Sequence, residues 1–160
     1  MNKKEFIKKS FEESSKIKLL TGEKCSEDIL KASESLIKCI KKGGKIMLCG
    51  NGGSAADSQH IATEFVIRLS HNLERPAIAA ISLTTDTSNL TAGGNDIGFA
   101  NVFARSVEAL GKMGDALIAI STSGNSLNII NAVNKAKSIG IPTIGLLGSG
   151  GGKLKPLCDF

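Results

Sequence analysis

The sequence has no tryptophan and no tyrosine, and its only aromatic side chains are six phenylalanines. Its core must therefore be built from isoleucine, leucine, valine and alanine, and the shortage of rings argues against a surface that stacks nucleic-acid bases. Long apolar runs are also missing, because polar residues interrupt each run well before the ~20 residues that cross a bilayer. These absences argue against direct nucleic-acid binding and against membrane insertion.

Paired cysteine spacing is absent as well. The four cysteines, Cys25, Cys39, Cys49 and Cys158, fall into no metal-binding or disulfide pattern. The N-terminal residues lack the apolar stretch of a secretory signal. We therefore expect reduced thiols and a cytoplasmic location for a chain whose 160 residues suit one globular unit.

The net charge of +5 is unevenly distributed. Residues 1–45 contain twelve lysines and seven acidic residues, whereas residues 46–160 contain eight basic and eight acidic residues. In the first part, lysines alternate with glutamates, which is typical of a solvated helix face rather than of a nucleic-acid-binding arm. The excess charge therefore gives no sign of an anionic partner.

Two helices are predicted before the first strand. Apolar residues recur at helical spacing over Lys3–Leu20, where Thr21 and Gly22 end the pattern, and again over Ser26–Lys42, where Ser26 is a candidate cap. We expect residues 1–43 to form these helices and to bury their apolar sides against a neighbouring subunit. Residues 44–160 then form the main domain.

Strands and helices alternate through that main domain. The predicted strands are 45–49, 77–82, 115–120 and 141–147, and the predicted helices are 54–69, 99–110 and 126–139. Such alternation predicts an α/β fold, a parallel sheet with helices on both faces. The segment Ser82–Asn95 is predicted to be a long polar loop, whose length is a mild sign of function.

The first predicted strand of the main domain ends in a glycine turn, Gly50–Ser54. Backbone N–H groups in such a turn and the positive end of the next helix both suit a phosphate. Ser54 is a candidate cap for that helix. In a parallel sheet, ligands bind beyond the carboxyl ends of the strands, where this turn falls.

A second polar loop, Ser121–Ser126, follows another apolar strand and carries four hydroxyl groups. Hydroxyls can wrap a phosphate without a fixed positive charge, and Asn125 or Ser126 can cap the next helix. Either loop alone is common where a strand turns into a helix. Because both follow strands of one domain, together they predict a phosphate-bearing ligand.

The helix after the first loop carries a polar stripe, Asp57, His60, Glu64 and Arg68. One interpretation is a solvent-facing stripe with Glu64 and Arg68 as an ordinary surface pair. The other is functional: Glu64 can act as a base on a carbon beside a carbonyl, and His60 with Glu64 can chelate a divalent ion, although they are only half a usual zinc shell. His71 is predicted to be a surface residue.

These motifs together closely resemble the phosphoheptose isomerase family of the sugar isomerase (SIS) domain group, from about residue 40 onward. The residues that carry the resemblance are Cys49–Ser54, Asp57, His60, Glu64, Arg68, Leu83–Ser88, Gly94–Phe99, Phe103–Ala109, Ile120–Ser126 and Gly150–Lys153. The loop Ser121–Ser126 alone is typical of any SIS domain, whereas the combination of all these motifs is far more specific to phosphoheptose isomerases. The resemblance implies a flavodoxin-like three-layer αβα sandwich.

The resemblance also implies an activity, the interconversion of D-sedoheptulose 7-phosphate and D-glycero-D-manno-heptose 7-phosphate, for lipopolysaccharide or capsule. Glu64 would be the base that moves a proton between C1 and C2 through an enediol. The implied phosphate ligands are Ser54, Ser121, Thr122, Ser123 and Ser126. The implied sugar-binding residues are Asn51, Gly52, Gly53, Asn95 and Asp96, together with Glu64.

Family resemblance further implies that His60 and Glu64 are two ligands of one Zn2+ ion per subunit, and that four subunits form a homotetramer with sites between them. The family continues with a final strand and a long helix that carry an acidic residue, a glutamine and a histidine. The present sequence stops at Cys158–Phe160 without them. We therefore expect the printed chain to be a fragment of a longer product.

Two alternatives stay open on the sequence alone. One is a non-catalytic phosphosugar-binding protein, or a partner of the replication initiator DnaA, as some related SIS proteins are. The other is an isomerase for a different phosphosugar, which would share both loops and differ only in its pocket.

Overall fold

The structure is a computed structural model that describes residues 2–72 and 74–160. The helices are α1 (Lys3–Lys41), α2 (Gly53–Val66), α3 (Thr87–Asp96), α4 (Val102–Leu110) and α5 (Leu127–Ile139). The strands are β1 (Ile46–Cys49), β2 (Ala80–Ser82), β3 (Ala116–Ser121) and β4 (Thr143–Leu147). Short 3-10 turns lie at Phe99–Asn101 and Ser149–Gly151.

The four strands form one parallel sheet in the order β2-β1-β3-β4. The chain crosses from β1 to β2 in one direction and toward β3 and β4 in the other. Right-handed crossovers therefore place α2 on one face and α4 and α5, which contact each other, on the opposite face. This confirms the predicted three-layer αβα sandwich, and the order reverses between β1 and β3, where such folds bind ligands.

The core between the sheet and α5 is aliphatic, as the composition predicts. Every residue of β1 and β3 is buried, which fits strands covered on both faces. Met47 and Leu117 from the strands pack in one cluster with Phe103 of α4 and Val133 of α5. Burying each such side chain contributes about 1.5–3 kcal/mol, so the sheet is a firm platform for the loops at its carboxyl edge.

The prediction of two N-terminal helices is wrong, because α1 is continuous through Gly22. A single glycine in a helix interior costs only about 1 kcal/mol. Thr21 Oγ1 donates to the Ile17 carbonyl at 2.8 Å, and the Ser26 hydroxyl donates to the Gly22 carbonyl. Both hydroxyls thus bond back within the helix instead of ending or capping it.

Contacts divide the chain into two compact units, one up to Glu34 and the other Ser35–Phe160. The proposed oligomerising role of residues 1–43 stays a prediction.

No helix within the described residues is both long enough and apolar enough to cross a membrane.

The segment Ser82–Asn95 is not a loop, since most of it forms α3. Asp86 caps this helix by accepting a hydrogen bond from the Asn89 backbone N–H at 3.0 Å. The sequence Asp86-Thr87-Ser88-Asn89 contained that cap signal. The helix carries few apolar residues, so periodicity did not reveal it.

Asp115 ties β1 to β3 at the amino edge of the sheet. Its fully buried carboxylate accepts hydrogen bonds from Lys45 Nζ at 2.5 Å and from the backbone N–H groups of Lys45 and Lys112, each at 2.9 Å. Burial alone would raise the pKa of Asp115, but these bonds and the Lys45 charge outweigh it, so the pKa lies below its usual value.

We expect Asp115→Asn to lower the free energy of unfolding at pH 7 by about 3 kcal/mol, because Lys45 loses its buried partner. The folded pKa is depressed, so the contribution of Asp115 is complete above the unfolded value of about 3.9 and disappears as pH falls through the folded pKa. Urea unfolding of both proteins at pH 7 and below pH 4 checks this. The difference between them should shrink at the acid end.

A matched control is Glu12→Gln, which removes one partner of an exposed pair with Lys8 at 3.7 Å. Its effect should stay below about 0.5 kcal/mol at either pH. An Asp115→Asn effect as small as this control would contradict the stabilising role of the buried pair.

Candidate active site

The turn after β1, Asn51–Ser54, is called the first rim. Gly52 adopts φ 54° as the N-cap residue of α2, and the Asn51 carbonyl accepts the Ser54 backbone N–H at 2.9 Å. Ser54 lies in the first turn of α2 and makes no capping bond, so the prediction that it caps the helix is wrong. Within the described residues its hydroxyl has no partner and is free to bind a ligand.

The loop after β3, Ser121–Ser126, is called the second rim. Ser121 Oγ is buried and accepts the Gly124 backbone N–H at 3.2 Å, which shapes the loop. Ser126 is the N-cap residue of α5, but its side chain does not bond the helix and instead lies 3.4 Å from Ser121 Oγ. Thr122 and Ser123 are exposed. Hydroxyls thus line the start of α5, whose positive end favours an anion.

The two rims are joined directly. Asn51 Nδ2 donates to Asn128 Oδ1 at 2.9 Å, and Asn128 Nδ2 donates to Asn51 Oδ1 at 2.8 Å. Because β1 and β3 are also hydrogen-bonded neighbours, the expected adjacency of the two loops is confirmed. Asn128 was missed in the sequence, since no spacing rule links two amides 77 residues apart.

A third segment, Gly148–Leu154, braces the second rim from behind. The Leu154 N–H donates to the Gly124 carbonyl at 2.9 Å, and the Lys153 N–H donates to Asn125 Oδ1 at 3.1 Å. Leu154 is fully buried in the core. The position of the second rim is therefore fixed by the part of the chain that follows β4.

His60 and Glu64 lie side by side on α2, with Nε2 and Oε1 3.6 Å apart. The Glu64 side chain is 27% exposed, against 74% for His60, so the carboxylate is the more enclosed of the two. Arg68 lies 3.2 Å from His71 Nδ1 and forms no ion pair with Glu64 in the described part of the chain. The simple surface-pair interpretation of Glu64 and Arg68 is therefore wrong.

The distance between Ser54 and Glu64 along α2 determines how long a ligand must be to reach both residues. Ser54 and Glu64 are ten positions apart in one helix, which corresponds to about 15 Å of rise. Helical side chains lean toward the N-terminus, so Glu64 extends back toward the first rim. A ligand anchored at Ser54 must therefore be extended to reach the carboxylate.

Comparison with known proteins agrees with this geometry. Residues 11–148 match the SIS domain family. A phosphoheptose isomerase of Clostridium acetobutylicum is 55% identical over 154 residues, which cover 96% of this chain and 76% of that protein. The chain belongs to the phosphoheptose isomerase family. A phosphoheptose isomerase of Campylobacter jejuni is 52% identical over 157 residues, covering 96% of this chain and 81% of the relative.

Solved structures of the phosphoheptose isomerase family share the fold closely. Phosphoheptose isomerase GmhA from Neisseria gonorrhoeae superposes with a TM-score of 0.90 at 43% identity, covering 99% of this chain and 82% of that one. The enzyme from Francisella tularensis gives 0.92 at 36% identity, with the same coverage. The resemblance inferred from the motifs is thus confirmed over nearly the whole chain.

Two predicted sugar-binding residues, Asn95 and Asp96, lie on α3 rather than on either rim. Asn95 and Asp96 form the last positions of α3, where Asn95 Nδ2 donates to Asp96 Oδ1 at 2.7 Å. Both side chains are exposed, and neither shares a hydrogen bond with the first or second rim. Their binding role stays a prediction.

The predicted zinc ligands fit a metal only in part. His60 and Glu64 offer a nitrogen and an oxygen within reach of one ion, but a structural or catalytic zinc takes at least three protein ligands. Among residues 2–72 and 74–160, no three His, Cys, Asp or Glu side chains cluster to hold a metal. His60 and Glu64 thus supply two of the ligands that a zinc site needs, and zinc binding stays a prediction.

Cys49 is the one thiol next to the first rim, and it is not a nucleophile. It is fully buried at the end of β1, and burial, with a smaller effect of Cys158, raises its pKa to about 12. A thiol with such a pKa stays protonated at neutral pH. Cys49 therefore supplies no thiolate at the first rim.

Proposed function

We propose that this chain is an aldose-ketose isomerase that interconverts D-sedoheptulose 7-phosphate and D-glycero-D-manno-heptose 7-phosphate. The observation that carries the proposal is the junction of two hydroxyl- and amide-rich rims at neighbouring strand ends, with Glu64 on the helix that starts at one of them. Its relatives are named phosphoheptose isomerases, which supports this activity.

Substrate length supports a seven-carbon sugar. From C1 to phosphorus, a heptose 7-phosphate spans eight bonds, or about 10 Å at the roughly 1.2 Å per bond of an extended chain. That length, plus the reach of Glu64 and of the rim hydroxyls, matches the ~15 Å between their positions on α2. A triose phosphate, at about 5 Å, would leave its reacting carbons far from Glu64.

The phosphate would be held by hydroxyls and backbone N–H groups rather than by fixed cations. Ser54 supplies a hydroxyl at the start of α2 that has no partner among the described residues, and Thr122, Ser123 and Ser126 supply further hydroxyls near the start of α5. Two helix N-termini then face one dianion, and each favours negative charge by about 0.3–1 kcal/mol or more. Gly52 and Gly53 let the backbone approach the sugar closely.

With the phosphate anchored, the carboxylate of Glu64 would remove a proton from C1 of the ketose. The electron pair forms the C1–C2 double bond of an enediol as the π pair of the C2 carbonyl moves to O2, which takes up a proton from solvent. Return of the proton from Glu64 to C2, with loss of the O1 proton, gives the aldehyde. Positioned acid–base catalysis of this kind contributes about 10²–10⁴-fold.

We propose that His60 and Glu64 also contribute two ligands to a Zn2+ ion, which when bound would polarise oxygens of the substrate. The further donors would come from outside the described residues. Zinc titration of the wild type and of His60→Ala tests this, because loss of the histidine should weaken metal binding at least about tenfold. Equal zinc affinity of the two proteins would remove His60 from the site.

We further propose a homotetramer that serves lipopolysaccharide or capsule synthesis. Of the 39 residues of α1 only Cys39 is buried, and apolar side chains such as Phe11 and Leu19 are about three-quarters exposed. Large apolar side chains exposed in such number on one helix favour a protein interface. The mass in solution measured by light scattering tests this, and a monomer would contradict it.

The activity is tested by mixing the full-length protein with sedoheptulose 7-phosphate, with and without zinc, and detecting heptose 7-phosphate by NMR. We expect turnover of the seven-carbon substrate and none of a triose phosphate. Binding of the sugar phosphate without any product would instead favour a non-catalytic phosphosugar-binding protein. No product and no binding would contradict the proposed function entirely.

A further inference from the structure

We infer that Asn128 is a positioning residue that orients the Asn51 side chain toward the sugar. Asn128 is the second residue of α5 and only 5% exposed, so it cannot itself present much surface to a ligand. All its described hydrogen bonds go to Asn51 and to the backbone of its own helix. This inference rests on the proposed role of Asn51 in the isomerase site.

The orientation of the Asn128 amide is set by its own helix. Oδ1 accepts the backbone N–H of Ile129 at 3.0 Å, and only an oxygen can fill that position. The same oxygen accepts Asn51 Nδ2, so both of its lone pairs are used. The Asn128 amide nitrogen is thereby turned toward Asn51 Oδ1.

That fixed amide in turn orients Asn51. Because Asn128 presents one acceptor and one donor, Asn51 can satisfy both only with its nitrogen opposite the oxygen and its oxygen opposite the nitrogen. One N–H and one lone pair of Asn51 remain unengaged by this pair. Asn51 therefore meets a polyhydroxy ligand with a donor and an acceptor in set positions, without paying the entropy of ordering them on binding.

The pair also couples the two halves of the phosphate site. Asn51 belongs to the first rim and Asn128 to the helix that follows the second, so their two bonds hold the rims at one separation. A pair of hydrogen bonds in a partly buried site is stiffer than a solvated pair. Loss of the pair would let the first rim shift, and small displacements of positioning groups can cost about 100-fold in rate.

The test is a double-mutant cycle of Asn51→Ala and Asn128→Ala, read as kcat/KM with sedoheptulose 7-phosphate. If Asn128 acts through Asn51, we expect Asn128→Ala to lower kcat/KM at least tenfold in the wild type and less than about twofold in the Asn51→Ala background. Equal losses in both backgrounds would mean a merely structural role and would overturn the inference.

Asn131→Ala is the matched control, because Asn131 lies one turn along α5 and bonds the Ala100 carbonyl at 2.9 Å outside the rims. Its effect on kcat/KM should be small and identical in both backgrounds. Thermal unfolding of all variants separates folding defects from positioning. If Asn128→Ala does not fold, Asn128→Asp serves, since it keeps the acceptor for Ile129 and loses the donor to Asn51.

A second readout does not depend on activity. The side-chain amide signals of Asn51 in the NMR spectrum of the free protein should shift in Asn128→Asp, in which Asn51 Oδ1 loses its donor. They should also exchange faster with solvent in Asn128→Ala, in which Asn51 Nδ2 loses its acceptor. Unchanged Asn51 signals would overturn the positioning role even in an active enzyme. If the wild type fails to isomerise the sugar but the Asn51 signals still change in the Asn128 variants, the proposed function is rejected. The positioning of Asn51 by Asn128 is then still supported.

Discussion

Replacing Glu64 by glutamine should abolish turnover while leaving substrate binding nearly intact. The substitution keeps the size and hydrogen-bonding reach of the side chain but removes the basic oxygen that takes the C1 proton. We expect kcat to fall about 10³-fold, within the range for loss of a positioned base. The Kd for sedoheptulose 7-phosphate should change only a few-fold, because the rims hold the phosphate independently of Glu64.

Glu108→Gln provides the control for this change of charge. Glu108 lies on α4, where it pairs with Lys135 at 3.0 Å and Arg105 at 3.4 Å on the exposed surface. Its loss should leave kcat within roughly twofold, as expected for an exposed pair. Stopped assays give kcat, and calorimetry gives Kd for all three proteins. Wild-type turnover by the Glu64→Gln variant would remove Glu64 from the role of base.

Replacing Gly124 by alanine should cause the largest loss among the rim residues. Gly124 has φ 64°, and a Cβ there would overlap the carbonyl oxygen of Gly151 in the segment that braces the second rim. Strain of this kind costs of order 1–3 kcal/mol. The backbone of the second rim must move to relieve this strain, so we expect kcat/KM to fall at least about 100-fold.

Gly22→Ala is the matched control, because Gly22 lies inside α1 with nothing within 4 Å of an added Cβ. It should stabilise the helix by up to about 1 kcal/mol and leave kcat/KM unchanged. Urea unfolding and steady-state kinetics check both variants. A fully active Gly124→Ala protein would show that close packing against Gly148–Leu154 does not position the second rim.

Much of the fold could be predicted because its signals are local. The buried strands β1 and β3 are continuous apolar runs between glycine or polar turns, and the alternation of strands and helices implies a parallel sheet. The ends of elements were harder. Gly22 looked like a helix stop, yet neighbouring hydroxyls bond back into α1. The helix α3 was missed because it has few apolar residues and buries none of its side chains.

The site was predictable only in part, for a physical reason. Both rims follow strands, so their residue types and their common edge could be derived from the sequence. Their junction depends on Asn51 and Asn128, whose amides meet only because β1 and β3 are adjacent. The hydrogen bond from Leu154 to the second rim likewise depends on tertiary contact. Local patterns carry no information about either contact.

The most direct test of the two-rim site is a crystal structure of the full-length Glu64→Gln protein with bound sedoheptulose 7-phosphate. We predict one phosphate within hydrogen-bonding distance of both the Ser54 hydroxyl and the hydroxyls of Ser121–Ser126, with C1 and C2 beside residue 64. A phosphate bound at only one rim, or reacting carbons directed away from residue 64, would contradict the proposed site.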